Sequence, residues 1–334
     1  MEAFQYSRVN SVNTAISAAA KSETAQQGAT VRFIAGGTTL IDLMKLDVER
    51  PQQVVDINHL PLDRVETAPD GSVKIGAMVR NSDLAHHPHI VENYPVLSQA
   101  LLSGASAQLR NKATTGGNLL QRTRCMYFRD TAMPCNKREP GSGCSAIGGA
   151  NRMLAILGTS ENCIATNPSD MNVAMAALEA AILIEGPSGA RKVPFGDFHL
   201  APGSTPSRET VLEPGDLVTH VTLPPPVAGA RSSYLKLRDR ASYEFALASS
   251  AVVMAIREGK ISYLRVAMGG IATKPWRMPS VEQALTGAAP DETAFRSAAA
   301  KAFKEARPQS ENGFKIELGQ RCLVYALKTI AKNA

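Results

Sequence analysis

The chain has 334 residues, of which 44% are hydrophobic and 20% charged, and its formal net charge is +6. That length supports two or three domains with buried cores, and the composition excludes a disordered or fibrous chain. The Lys and Arg residues are scattered, which argues against a nucleic-acid partner, and no stretch approaches the roughly 18 apolar residues of a membrane span.

The N-terminus predicts a short strand and then an amphipathic helix over residues 11–20. Asn, Ser and Thr interrupt its apolar positions, and no basic start precedes them, so a secretory signal is not expected and folding in the cytoplasm is. Val31-Arg32-Phe33-Ile34-Ala35 reads as an apolar strand. A glycine pair follows, and Leu40, Ile41, Leu43 and Met44 share one side of a helix. Residues 53–57 read as another strand and close a first region, 1–60. A second region, 61–226, has short strands such as 73–75 and helices such as 94–102. It is interrupted by an irregular Gly-, Pro- and Cys-rich insertion, about 121–165. Pro224-Pro225-Pro226 forms a stiff connection. In the third region, 232–334, apolar runs over 245–256 and 261–268 flank Glu258-Gly259-Lys260 and predict a hairpin. Helices are expected over 291–306 and 318–331. His86, His87 and His89 surround Pro88 and read as a solvated loop.

Cys125, Cys135, Cys144 and Cys163 are grouped, while Cys322 falls in an amphipathic helix and reads as a small buried hydrophobe. Disulfides are not needed in a chain with a sizeable core. Zinc sites usually draw on Cys-x₂₋₄-Cys pairs, and no two of these cysteines are that near. A 4Fe–4S cluster accepts one thiolate at each corner and suits separated ligands. Arg122, Arg124, Lys137 and Arg138 lie among them, with Pro134, Pro140, Gly141 and Gly143. Iron–sulfur is favoured, with zinc and unliganded or bridged thiols as equal alternatives.

Two glycine motifs point to a phosphate-bearing cofactor. Ala35-Gly36-Gly37-Thr38-Thr39-Leu40 lies between strand and helix, where glycines let backbone approach a pyrophosphate and hydroxyls can bind its oxygens. The spacing is not the G-x-G-x-x-G of nicotinamide sites. Ala113-Thr114-Thr115-Gly116-Gly117-Asn118-Leu119 offers a second cradle and runs on to Cys125. Asn167-Pro168-Ser169-Asp170 opens a further helix, with Ser169 or Asp170 as its cap.

Together these motifs resemble the FAD-binding subunits of the molybdenum hydroxylases, the family of xanthine dehydrogenase and carbon monoxide dehydrogenase. The resemblance spans nearly the whole chain. It is strongest to the periplasmic aldehyde oxidoreductase branch, through Phe33-Ile34-Ala35-Gly36-Gly37-Thr38, Gln121-Arg122-Thr123-Arg124-Cys125, Pro134-Cys135-Asn136-Lys137-Arg138, Gly141-Ser142-Gly143-Cys144, Cys163-Ile164-Ala165-Thr166 and Arg238-Asp239-Arg240-Ala241-Ser242-Tyr243. The implied fold is α+β: two subdomains of the vanillyl-alcohol-oxidase/PCMH-type FAD-binding fold (1–60 and 61–226), then a C-terminal α+β domain of the CO dehydrogenase flavoprotein type (232–334).

The resemblance implies that Phe33, Ile34, Ala35, Gly36, Gly37, Thr38, Thr39 and Leu40 wrap the FAD pyrophosphate. It places Thr114, Thr115, Gly116, Gly117 and Asn118 on the phosphates and ribityl chain. Asp170 hydrogen-bonds the cofactor, Val218 lies beside the isoalloxazine ring, and Lys236 stands near the flavin, where a cation favours the anionic reduced form. In this branch Cys125, Cys135, Cys144 and Cys163 hold a 4Fe–4S cluster. One departure is Gly104, which falls where xanthine dehydrogenase stacks a Phe on the flavin; Tyr243 and Phe245 read as strand packing.

No molybdopterin site and no 2Fe–2S cysteine pattern is found. The implied partners are a large molybdenum-cofactor subunit, which oxidises an aldehyde to a carboxylic acid, and a small 2Fe–2S subunit, in a heterotrimer. Electrons would leave through this chain's FAD to an external acceptor, ferredoxin-like rather than NAD. Periplasmic location is implied through co-export with a partner bearing a twin-arginine signal; the alternative is cytoplasmic. Arg122, Arg124, Lys137 and Arg138 would compensate thiolate charge or form a rim that attracts an acidic carrier. The rival reading is a non-redox scaffold whose cysteines hold zinc.

Overall fold

Three short strands, β1 (Gln5–Arg8), β2 (Val31–Ile34) and β3 (Gln53–Asp56), pair in parallel in the order β1-β3-β2. Parallel neighbours need crossovers, and two helices supply them: Val12–Ala19, capped by the Ser11 side chain accepting from Thr14 N, and Leu40–Lys45. The first packs Ala15 and Ala19 inward, and the sheet's Val55 and Ile57 complete this small core. The computed structural model describes residues 1–333.

The second sheet is antiparallel in the order β4-β5-β8-β6-β7, from β4 (Val65–Thr67), β5 (Val73–Gly76), β6 (Ala181–Gly186), β7 (Gly189–Pro194) and β8 (Leu217–Leu223). Between β5 and β6 the chain leaves the sheet, makes the helix Pro95–Ser103 and the cysteine segment, and returns through the wholly buried helix Asp170–Ala177. Ser169 caps that helix, accepting from Asn172 N at 3.2 Å.

The third sheet, β12-β11-β10-β9, is also antiparallel: β9 (Arg231–Leu237), β10 (Ala248–Arg257), β11 (Lys260–Gly269) and β12 (Trp276–Arg277). Glu258 (φ 51°) and Gly259 (φ 72°) make the tight turn of the expected hairpin, with both central residues in the left-handed region that matches strand twist. The helices expected over 291–306 and 318–331 are Glu292–Ala302 and Phe314–Asn333. Cys322 is 1% exposed in the core between that last helix and the sheet, and burial pushes its thiol up to about 12. The three histidines are not a loop: Asn81–His86 and Pro88–Asn93 are short helices that meet at His87.

One buried cation ties the insertion to the third sheet. Lys315 has no exposed surface, and its Nζ donates to Met153 O at 2.9 Å and Gly270 O at 2.7 Å. Burial, and then the charge of Arg152, lowers its pKa to about 7 from the ordinary 10.5. Between those values the unfolded chain holds a proton that the folded chain has released, so stability rises with pH across the window. Urea unfolding of the chain and of Lys315→Met from pH 6 to 10 should show the native chain gaining on the variant above pH 7. Parallel pH curves would remove this role.

Candidate functional site

The apolar strand β2 delivers Ala35-Gly36-Gly37 against the backbone of the segment before Thr114. A Cβ on Gly36 would lie 2.1 Å from Lys112 O, so only glycine permits the approach. Gly37 has φ +73°, and its carbonyl accepts from Ile41 N at 3.0 Å, turning the chain into Leu40–Lys45. On the facing segment the Thr114 side chain accepts from Gly117 N at 3.1 Å and starts the turn Thr115–Leu119. The two glycine motifs, far apart in sequence, are thus held against each other.

Between them opens a cavity of about 270 Å³, close to the lower end of the roughly 300–1,000 Å³ of small-molecule sites. Phe33, Ala35, Gly36, Gly37, Thr38, Thr39 and Leu40 line it from one side, and Thr114, Gly116 and Gly117 from the other; Val218 lies on its wall. Other expected residues are set back. Ile34 gives its carbonyl to Ile57 N at 3.1 Å. Thr115 is fully buried and donates to Val79 O at 3.1 Å. Asn118 Oδ1 accepts from Ser169 Oγ at 2.7 Å.

Asp170 and Lys236 lie outside this cavity. They form a buried ion pair at 2.8 Å, with side chains 8% and 3% exposed. Tyr234 OH donates to Asp170 Oδ1 at 2.5 Å, and Lys236 Nζ also donates to Ser103 O at 3.0 Å. Asp170 instead borders an adjoining cavity of about 170 Å³, which shares Thr166, Asn167 and Pro168 with the first and has Phe245 on its wall. Gly104 stands beside Asp170, whose Oδ2 would be 3.3 Å from a Cβ there.

Arg32, Glu49 and Glu209 on the main cavity wall were not signalled by any motif. Arg32 pairs with Glu49 at 2.9 Å, Glu49 with Arg122 at 2.5 Å, Arg122 with Glu209, and Glu209 with Lys137 at 2.9 Å. Three cations meet two carboxylates here, which leaves one positive charge facing the cavity and suits an anionic phosphate group. Burial pushes the Glu209 carboxyl up, but the Arg122 and Lys137 charges outweigh it and hold it below the usual range. A lone Glu49 or Glu209 in a polar stretch carries no sequence signal.

Cys125, Cys135, Cys144 and Cys163 converge on a third, small cavity of about 10 Å³, together with Phe128, Ala146 and Ala165. All four thiols are free. Cys135 and Cys144 face each other across an antiparallel bridge, which Asn136 clamps by accepting from Gly141 N at 3.2 Å and Gly143 N at 2.9 Å. Those glycines have φ of +86° and +98°, a geometry that costs other residues strain. Burial pushes the Cys125 thiol up to about 11, while the amides of Phe128 and Tyr127 point at its sulfur and favour the thiolate. Burial raises Cys163 too, against the Lys137 charge and the Ala165 amide. Among the described residues, no three His, Cys, Asp or Glu side chains stand in ready metal-ligand geometry. The four thiols therefore share a cavity without forming a finished site.

The expected basic rim does not form. Arg122 and Lys137 are turned inward to Glu49 and Glu209. Arg124 and Arg129 share Asp42 at 3.0 and 2.8 Å, and Arg138 donates to the carbonyls of Tyr127, Phe128 and Met133. Each internal partner lowers the cost of partial burial, and the carboxylates among them weaken the free positive field that long-range attraction requires.

Comparison with known proteins agrees with this arrangement. Residues 2–226 match the family model described as the FAD binding domain in molybdopterin dehydrogenase, and 233–329 the CO dehydrogenase flavoprotein C-terminal domain. The chain is 49% identical over 330 residues to the aldehyde oxidoreductase FAD-binding subunit PaoB of Escherichia coli, covering 98% of each. It is 28% identical to the glyceraldehyde dehydrogenase medium chain of Sulfolobus acidocaldarius, over 84% of this chain and 82% of that one. In three dimensions it is similar to the carbon monoxide dehydrogenase from Hydrogenophaga pseudoflava, with a TM-score of 0.77, 25% identity and coverage of 100% and 99%. With its two glycine loops closed around one cavity and both family models matched along nearly its full length, the chain belongs to the FAD-binding subunits of the molybdenum hydroxylases, which are oxidoreductase subunits.

Proposed function

We propose that the chain is the FAD and 4Fe–4S electron-transfer subunit of a heterotrimeric molybdenum-dependent aldehyde oxidoreductase. In this reading it accepts electrons from 2Fe–2S centres on a small partner and delivers them to an external acceptor, while aldehyde is oxidised on a large molybdenum-cofactor partner. Similarity to an aldehyde oxidoreductase subunit and to medium chains of related enzymes supports the assembly. FAD supplies the capacity to exchange two electrons with one-electron centres.

The observation that carries the iron–sulfur half is the meeting of four separated thiols in one cavity, with backbone amides aimed at two of the sulfurs. Buried thiols that resist ionisation become thiolates readily when a metal supplies the opposing charge. Hydrogen bonds to sulfur and exclusion of water are also what tune a cluster's potential. Lys137 would offset part of the thiolate charge from the side of Cys163.

The test is metal analysis of the full chain purified without oxygen. Cys135→Ala should lose about nine-tenths of the bound iron, since three thiolates leave one corner open, whereas Cys322→Ala should keep it. Stoichiometric zinc without iron would overturn the reading in favour of a structural metal.

A further inference from the structure

A carboxylate outside both cofactor motifs lines the main cavity and reaches the cysteine cavity through Lys137. Glu209 lies in the loop between the helix Phe195–Phe198 and β8. Its Oε1 accepts from Lys137 Nζ at 2.9 Å, and its Oε2 pairs with Arg122. Arg122 pairs onward with Glu49, and Glu49 with Arg32. All five side chains line the main cavity. The ends of this chain of charges differ in what they hold. Arg32 is on β2, whose exit is the first glycine loop. Lys137 follows Cys135 by two residues and lines the cysteine cavity as well. The Arg122 guanidinium also lies 4.7 Å from the centre of the Phe128 ring, in the apolar cluster of the cysteines.

We propose that Glu209 is a positioning residue that couples the two sites: through Arg122 it fixes the wall of the flavin cavity, and through Lys137 it fixes the loop bearing Cys135. The flavin half follows from the family; the cysteine half rests on the iron–sulfur reading above. The physical reason is the asymmetry of an interior ion pair. Removing the shared carboxylate leaves Lys137 with no counter-ion, only the Pro206 carbonyl at 2.9 Å, and leaves Arg122 sharing Glu49 with Arg32, so the excess positive charge must be relieved by movement or solvation. Whatever moves Lys137 shifts the Cys135 segment, and whatever moves Arg122 shifts the segment leading to Cys125. The Glu209 backbone is anchored separately, its N donating to Gln26 Oε1 at 3.1 Å and its carbonyl accepting from Leu200 N at 3.0 Å. Glu209→Gln therefore removes the charge and leaves the loop in place.

The experiment is a double-mutant cycle on the anaerobically purified full chain: native, Glu209→Gln, Lys137→Met and the pair together. Iron and FAD per chain and the flavin midpoint potential are measured for each. Glu209→Gln should lose iron about five-fold, and the double variant should recover at least about half of it, because the uncompensated cation beside Cys135 is gone and Arg122 keeps Glu49. The flavin potential should rise in Glu209→Gln, since uncompensated cations favour the reduced, more electron-rich form, and fall back in the double variant. Losses that simply add, or a flavin potential that ignores the charge change, would overturn the proposal. A native chain without iron would end the iron–sulfur reading. In that case the flavin potential alone decides: a shift reversed by Lys137→Met upholds the coupling of Glu209 to the flavin, and no shift ends it.

Discussion

Gly36→Ala is expected to leave the chain without FAD. The new methyl carbon would sit 2.1 Å from Lys112 O, 2.8 Å from Lys112 C and 3.1 Å from Ala113 Cα, all of them backbone atoms. Side chains can rotate away from such an overlap, but a backbone carbonyl fixed between Arg80, which donates to it at 2.7 Å, and the start of the second loop cannot. The first glycine loop must lift, and the cavity between the loops opens. Overpacking of this kind costs about 1–3 kcal/mol or more, so FAD per chain should fall at least ten-fold, with a lower Tm. The neighbouring position is milder. A Cβ on Gly37 meets Ile41 Cδ1 at 2.8 Å, the end of a flexible side chain, although its φ of +73° adds strain for any other residue. The sequence motif alone weights both glycines equally; the structure places the sharper effect at Gly36. The ratio of flavin to protein absorbance measures it, and a folded Gly36→Ala chain with stoichiometric FAD would refute it.

Asp170→Ala should be among the most destabilising single changes. It leaves the Lys236 ammonium, 3% exposed at its side chain, with only Ser103 O, and it strips Tyr234 OH of its acceptor. Breaking a buried pair from one side typically costs about 3–5 kcal/mol, because an uncompensated charge stays inside. The pair joins the helix Asp170–Ala177 of the second region to β9 of the third, so the loss should also uncouple their unfolding. The measurement is urea unfolding of Asp170→Ala beside Asp170→Leu/Lys236→Met. The double variant should recover much of the loss, since neither charge remains. A single variant as stable as the native chain would show that the pair contributes nothing net.

Much of this protein is legible in its residues. Strands and helices such as 31–35, 94–102 and 318–331 follow from apolar periodicity, because one face of each must be buried whatever it packs against. The hairpin at Glu258-Gly259 is legible because the turn needs left-handed backbone. The cavity-lining glycines and the grouped cysteines stand out because few residue types can do what they do. The roles of Asp170 and Lys236 are less so: the family resemblance implied contacts to the cofactor, and in the folded chain the two neutralise each other beside the cavity. The flanking cations read as compensation for thiolate charge or as a steering rim; folding turned Arg122, Arg124 and Lys137 toward carboxylates distant in sequence and Arg138 toward carbonyls of its own insertion. The reason is physical: periodicity and turn chemistry are local, whereas the partner of a charge is set by which loops meet. Residues 49, 122, 137 and 209 share one wall only after the first sheet, the cysteine insertion and the loop before β8 have come together. The residue types determined the fold and the cofactor class, and the tertiary structure alone decided which charges meet on the cavity wall.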